Sequence, residues 1–371
     1  MTAVRSTLGW TTFLVPAIPL AIVLDIAHAS PAAIFFVSAL GVIPTASLMG
    51  RATEELAERS GPGIGGLLNV TFGNAPELII ALFALQKGLH EVVKASLIGS
   101  ILGNVLLVLG ASMLAGGLKN TRDGGRQTFD RTAASAQSSM LLLAAVALTM
   151  PAIFEMIDGR GLPHPTDEVI DYPSNIEWLS LGVALVLILS YVGGLIFSLR
   201  THRDLFNPAS EGDAHEGEPW TVRRSVILLA VAGVAVGVMS EILVGSISEA
   251  AHSVGLSEFF IGAIVVAIVG NAAEHWVAVV VAMKDKMNLA VNIAIGSSAQ
   301  IALFVAPVLV LLSFVLGPHP MPLVFNGFEV GGLLFAVLIA NHVTNEGEST
   351  WYEGVQLLCV YAVLIITFAV A

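Results

Sequence analysis

A chain of 371 residues with 56% hydrophobic and 12% charged residues carries too little polar surface for a water-soluble domain, whose charged share is usually about 25%. The net charge of −12 is a property of the loops, and with no basic patch no nucleic-acid partner is expected, while a single cysteine, Cys359, excludes an internal disulfide or a thiolate metal site. What remains is an all-α polytopic protein whose solvent is the lipid bilayer.

Apolar stretches of about 20 residues, enough to cross roughly 30 Å of hydrocarbon, fall near 10–28, 31–50, 63–86, 95–117, 133–154, 178–198, 225–244, 258–282, 289–316, 324–343 and 354–371, which predicts eleven transmembrane helices. The first is as long as a full span and has no small-residue cleavage site, so it reads as a helix and not a signal peptide. Gly61, Gly63 and Gly66 match a dinucleotide-binding spacing, but no strand precedes them and an apolar span follows, so no nucleotide site is expected. Asp25, Glu155 and Glu329 stand near span ends and are expected at the interface. Glu211, Asp213, Glu216 and Glu218 mark an acidic linker between spans six and seven.

Span three contains Gly73-Asn74-Ala75-Pro76-Glu77, and span eight contains Gly270-Asn271-Ala272-Ala273-Glu274. A step of 197 residues relates the two phrases, and the same step carries Gly99-Ser100 to Gly296-Ser297 in the following spans. The chain therefore divides into an N-terminal helix (1–30), a first five-helix repeat (31–198), the acidic linker (199–224) and a second five-helix repeat (225–371). Spans three and eight lie an odd number of crossings apart, so the repeats are inverted. Basic residues cluster in alternate loops, with Arg5, Arg51, Arg59, Lys119, Arg122, Arg126, Arg131, Arg200, Arg203, Arg223, Arg224, Lys284 and Lys286 on one side and only Lys87, Lys94 and Arg160 on the other. By the excess of basic residues in cytoplasmic loops, the N-terminus is expected inside and the C-terminus outside.

A charge at the bilayer centre costs about 2.5–3.5 kcal/mol even on lenient scales, so Glu77 and Glu274 point to an ion pathway. Inverted repeats with interrupted helices near the midplane are the usual plan of secondary transporters. Gly73 with Pro76 should break span three and free nearby carbonyls, whereas Gly270, followed by Ala273 in place of proline, should give a gentler break. Asn74 with Glu77, and Asn271 with Glu274, are three apart and share a helix face. Ser100, Asn104, Ser297 and Gln300 are polar groups in otherwise apolar spans and offer further oxygens. Two carboxylates among neutral oxygens suit a hard cation, with Ca2+ favoured and Mn2+ close behind. When the cation leaves, the facing carboxylates repel one another and take up protons. His275, beside Glu274, is either a proton carrier or an interhelical hydrogen-bonding group.

These residues resemble Ca2+/H+ antiporters of the cation exchanger (CAX) family, within the Ca2+/cation antiporter superfamily. The resemblance is carried by TFGNAPELIIALFAL from Thr71, IVGNAAEHWVAVVVA from Ile268, GSILGN from Gly99 and GSSAQIALFV from Gly296. It implies eleven helices with the first outside the repeats, and cation binding by Glu77 and Glu274. It also implies support from Asn74, Asn271, Ser100, Ser297 and Gln300, with Glu54 and Glu241 similar to acidic access positions of the family. Pro76 and Trp276 depart from the residues common there, and the short N-terminus resembles prokaryotic members, hence a prokaryotic plasma membrane. The function implied is exchange of cytoplasmic Ca2+ for H+ by alternating access, with Ca2+ as transported substrate, no cofactor and no enzymatic reaction. The alternatives are a Na+-coupled or Mn2+ exchanger and, further off, an uncoupled cation channel.

Overall fold

The structure of the protein is a computed structural model that describes residues 8–120, 125–167, 170, 172–198 and 220–371. Among the described residues the only strands are the two-residue β1 (Gln127–Thr128) and β2 (Glu348–Ser349), which pair antiparallel. The rest of the architecture is helical. Among the described residues ten helices are long and apolar enough to cross a membrane: α1 (Gly9–Ile26), α2 (Pro31–Phe72, its span Pro31–Ser60), α4 (His90–Lys119), α5 (Arg131–Ile157), α6 (Ser174–Ile196), α7 (Val222–Gly245), α9 (Glu258–Met283), α10 (Met287–Ser313), α11 (Gly327–Thr344) and α12 (Trp351–Val370). Two shorter helices complete the set, α3 (Ala75–Gln86) and α8 (Ile247–Val254).

Ten of the eleven predicted spans coincide with these long helices, and the span expected at 63–86 does not form one. The expected span 63–86 consists of the end of α2, a turn at Gly73-Asn74, and α3. Pro76 is the cause: it has no N–H to give the Phe72 carbonyl four residues back, but it is tolerated in the first turn of the helix that follows. Earlier in α2, a side chain at Gly65 would overlap the Ala57 carbonyl. Eight residues of straight helix would separate these by about 12 Å, so α2 doubles back between them.

The helix ends follow from local chemistry. Asp130 and Thr221 accept the amides of Ala133 and Arg224 at the starts of α5 and α7, and Asn326 with Glu329, and Thr350 with Glu353, form reciprocal capping boxes on α11 and α12. Gly255 ends α8 in the left-handed region, at φ 72.

Two compact units organise the chain. The first comprises Met1–Phe83, Val192–Gly255 and Val269–Ala273. Within it α2 packs along α7, with α1 and α8 also on α2, and the core gathers Met49, Ala75, Ala232 and Val236, with Phe72 and Ile79 against them. The second unit comprises Ala84–Tyr191, Leu256–Ile268 and Glu274–Ala371. There α4 packs on α12 and α5 on α11, joined in the latter case by Ser138 and Thr344 hydroxyls 2.8 Å apart. In this unit α4 and α10 lie side by side, the start of α10 beside the end of α4 and the later turns of α10 beside the start of α4, so the two run antiparallel.

Charged groups near helix ends are buried in the second unit. Glu155, near the end of α5, and Glu329, in the first turn of α11, are 4% and 1% exposed. Lys94, counted above among loop charges, is completely buried: its ammonium donates to Glu91 at 2.6 Å and to the Val324 carbonyl at 2.6 Å. That carbonyl belongs to an irregular stretch between α10 and α11, and buried non-helical backbone of this kind persists only where protein groups satisfy it. Tyr172 lies with its ring 5.5 Å from the Lys94 ammonium. Burial, and then the carboxylates of Glu91, Glu155 and Glu329, push its phenol well above the ordinary range.

Candidate cation site

In the first unit the two motif copies meet. Gly73 and Asn74 form the turn, the Asn74 carbonyl accepts the Leu78 amide at 3.1 Å to open α3, and Glu77 falls in the first helical turn. A carboxylate there is favoured by the unpaired amides and positive end of the helix dipole. The Glu77 side chain lies over Gly270 of α9, where an added Cβ would stand 3.4 Å from Glu77 Cγ and 3.7 Å from Ile80 Cδ1. Glycine at 270 thus permits close approach of the first-copy glutamate to the second-copy motif. Asn74 and Asn271 are buried in the same unit, at 2% and 0% exposure.

The expected gentler break at Gly270 does not occur. The α-helix runs from Ala267 to Met283 without interruption, so the Gly270 carbonyl sits inside a continuous i→i+4 ladder. The irregularity lies one turn earlier, where Ile261–Val266 is π-helical. Alanine at 273 keeps the amide that proline would remove, and α9 heals through the motif.

In the second unit Glu274 and His275 face the antiparallel pair α4 and α10. Ser297 donates its hydroxyl to Glu274 Oε2 at 3.3 Å, and His275 Nε2 lies 3.1 Å from Asn104 Oδ1. The turn Ser297–Gln300 packs on the part of α4 that carries Ser100 and Asn104. Asn104 stands in a π-helical stretch, Gly103–Val108, and α10 has two more, Asn292–Gly296 and Ile301–Val305. Such turns offset the register by one residue and are frequent at functional sites. Beside Gly296, Gln137 of α5 donates to Asn292 of α10 at 2.6 Å. Neither residue was singled out in the sequence, although each is a polar side chain in an apolar span.

The backbones of α4 and α9 touch through small residues. A Cβ at Gly99 would overlap the Ala263 carbonyl, and one at Gly262 would stand 2.9 Å from the Val92 carbonyl, the close packing that glycine permits between membrane helices. The equivalent Gly296 is roomier, its nearest neighbours being Asn292 Oδ1 at 3.3 Å and Gln137 Nε2 at 3.7 Å. Equivalent glycines in the two copies are therefore used differently.

Glu54 and Glu241 are exposed on α2 and α7. The buried carboxylate of that region is Glu55, which accepts the Trp220 amide at 2.9 Å, with Arg51 and Arg224 over the Trp220 ring at 5.1 and 4.6 Å. The acidic linker residues Glu211, Asp213, Glu216 and Glu218 lie outside the described residues.

Comparison with known proteins bears on this arrangement. The family model described as sodium/calcium exchanger protein matches residues 30–200 and 224–370. The Ca(2+)/H(+) antiporter ChaA of Bacillus subtilis is 44% identical over 354 residues, 95% of this chain and 96% of that protein. The Ca(2+)/H(+) antiporter of a Synechocystis species is 44% identical over 352 residues, covering 90% of each. The solved structure of native YfkE superposes with a TM-score of 0.79 at 40% identity, over 97% of this chain and all (100%) of that one.

Proposed function

The chain belongs to the sodium/calcium exchanger protein family, and on that footing we propose that it is a secondary active antiporter exchanging cytoplasmic Ca2+ for H+ by alternating access. The observation that carries the reading is the approach of Glu77 to Gly270: it brings a carboxylate of one copy onto the ligand motif of the other, with Glu274 one helical turn further along α9. Glu77 and Glu274 together neutralise one divalent ion. Asn74, Asn271, Ser100, Ser297 and Gln300 supply neutral oxygens, as does the carbonyl of Gly73 at the helix break; Gly270 supplies room. The same carboxylates carry protons when the cation has left, so the two ions compete for one set of oxygens. Relatives named Ca2+/H+ antiporters support this pairing of ions over sodium coupling.

The architecture that fits this function has eleven crossings, one N-terminal helix and two inverted five-helix repeats, with the interrupted α3 completing the third crossing. The N-terminus faces the cytoplasm of a prokaryotic cell and the C-terminus faces outward. The test is Ca2+ uptake into proteoliposomes under imposed gradients. A pH gradient should drive Ca2+ against its own gradient and a Na+ gradient should not; Na+-driven uptake would make it a sodium-coupled exchanger, and purely downhill movement a channel.

A further inference from the structure

The hydrogen bond between Asn104 and His275 breaks the symmetry between the copies. Stepping 197 residues takes Asn104 to Ile301 and takes His275 back to Leu78, so the equivalent place in the other copy is an apolar pair. Asn104 is 2% exposed and its Nδ2 has no hydrogen-bond partner among the described residues. Its Oδ1 lies 3.1 Å from His275 Nε2. The imidazole reaches it across Gly103, where an added Cβ would stand 3.9 Å from His275 Cε1. The π-helical register of Gly103–Val108 sets Asn104 at this point on α4.

An amide oxygen only accepts, so the bond requires the imidazole to carry its proton on Nε2. We propose that Asn104 is a positioning residue: its carboxamide fixes His275 as the Nε2–H tautomer against α4, removes that nitrogen from the set of cation ligands, and thereby orients the adjacent Glu274 toward Ser297. Glu274 is then held by two side-chain anchors, one direct and one through its neighbour, and the second-copy carboxylate is preorganised for the cation. His275 serves the site by orientation, and Asn104 supplies no oxygen to the ion because Oδ1 is committed. This inference rests on the antiport site proposed above.

The test combines exchange kinetics with the nitrogen-15 spectrum of labelled histidine in the purified full-length protein. In the unsubstituted protein His275 should show a protonated Nε2, a measurement needing no variant to fold. Asn104→Leu should raise KM for Ca2+ about tenfold, the size expected for a lost buried hydrogen bond with its partner orphaned, with kcat changed less, and should release the tautomer. Asn104→Asp, which keeps an acceptor, should retain the Nε2–H signature. His275→Leu should raise KM similarly, and the double variant should be no worse than the worse single one. A protonated Nδ1 in the unsubstituted protein, a normal KM in Asn104→Leu, or additive losses in the double variant would each overturn the assignment. Failure of the underlying site is read separately: exchange surviving in Glu274→Gln removes the antiport site itself, whereas loss there with normal kinetics in Asn104→Leu removes only the role of Asn104.

Discussion

The two glutamate motifs share their glycine, asparagine and glutamate yet sit in different backbones. At Gly73-Asn74 the helix stops and a new one begins, while at Gly270-Asn271 it continues. Glu77 consequently stands in the first turn of a helix, where free amides favour an anion, and Glu274 stands mid-helix, where it accepts the Ser297 hydroxyl. A single exchange, proline at 76 for alanine at 273, separates the two solutions. One copy stabilises its carboxylate with backbone and the other with side chains, which leaves the second copy dependent on its neighbours in α4 and α10.

The comparison can be broken most severely at the carboxylates. Glu77→Gln and Glu274→Gln each keep shape but remove one of two charges needed by a divalent ion. Losing one partner of a buried charge pairing costs about 3–5 kcal/mol, so Ca2+/H+ exchange in proteoliposomes should fall roughly 100-fold or more in both. Exchanging the backbones comes next. Ala273→Pro should impose the first-copy break on α9 and lower stability by about 3 kcal/mol, seen as a reduced unfolding temperature in detergent. Pro76→Ala should change stability by less than about 1 kcal/mol, because the proline occupies a tolerated first-turn position.

The equivalent glycines sharpen the comparison further. Gly99→Ala forces a methyl into the Ala263 carbonyl and should cost about 1–3 kcal/mol. Gly296→Ala asks only the Asn292 side chain, 3.3 Å from the new methyl, to yield slightly, and should alter stability by less than about 1 kcal/mol; equal costs at both positions would contradict the different packing of α4 and α10. Ser297→Ala acts on binding and not on stability, because it removes a 3.3 Å hydrogen bond to Glu274. A bond of this kind contributes about 1–1.5 kcal/mol, so Ca2+ affinity measured by titration should weaken several-fold and not vanish.

Much of this was legible in the sequence because apolar length and a repeated phrase survive any fold. The hydropathy of the spans located all ten long helices, and the proline of the first motif foretold the break at Gly73. The same averaging that finds spans treated 63–86 as whole, since a window sum does not register a turn. Charges read one at a time were misplaced. Lys94 looked like a loop residue because its partner, the Val324 carbonyl, lies 230 positions away, and nothing in the sequence showed that Glu329 closes a capping box buried in protein. The π-helical turns of α4, α9 and α10 left no trace, being set by packing and not by propensity. The pairing of Asn104 with His275 depends on one of those turns, which is why two visible polar residues did not reveal each other.

The central claim is that protons and Ca2+ compete for the carboxylates of both copies. Calorimetric titration of the purified protein with Ca2+ in buffers of different ionisation enthalpy counts the protons released per ion bound. Binding should release protons, weaken steadily as the solution is acidified from neutral pH toward the ordinary glutamate range of about 4.3, and be lost in Glu77→Gln and in Glu274→Gln alike. Binding that released no proton, held constant over that range, or survived either substitution undiminished would contradict a shared site.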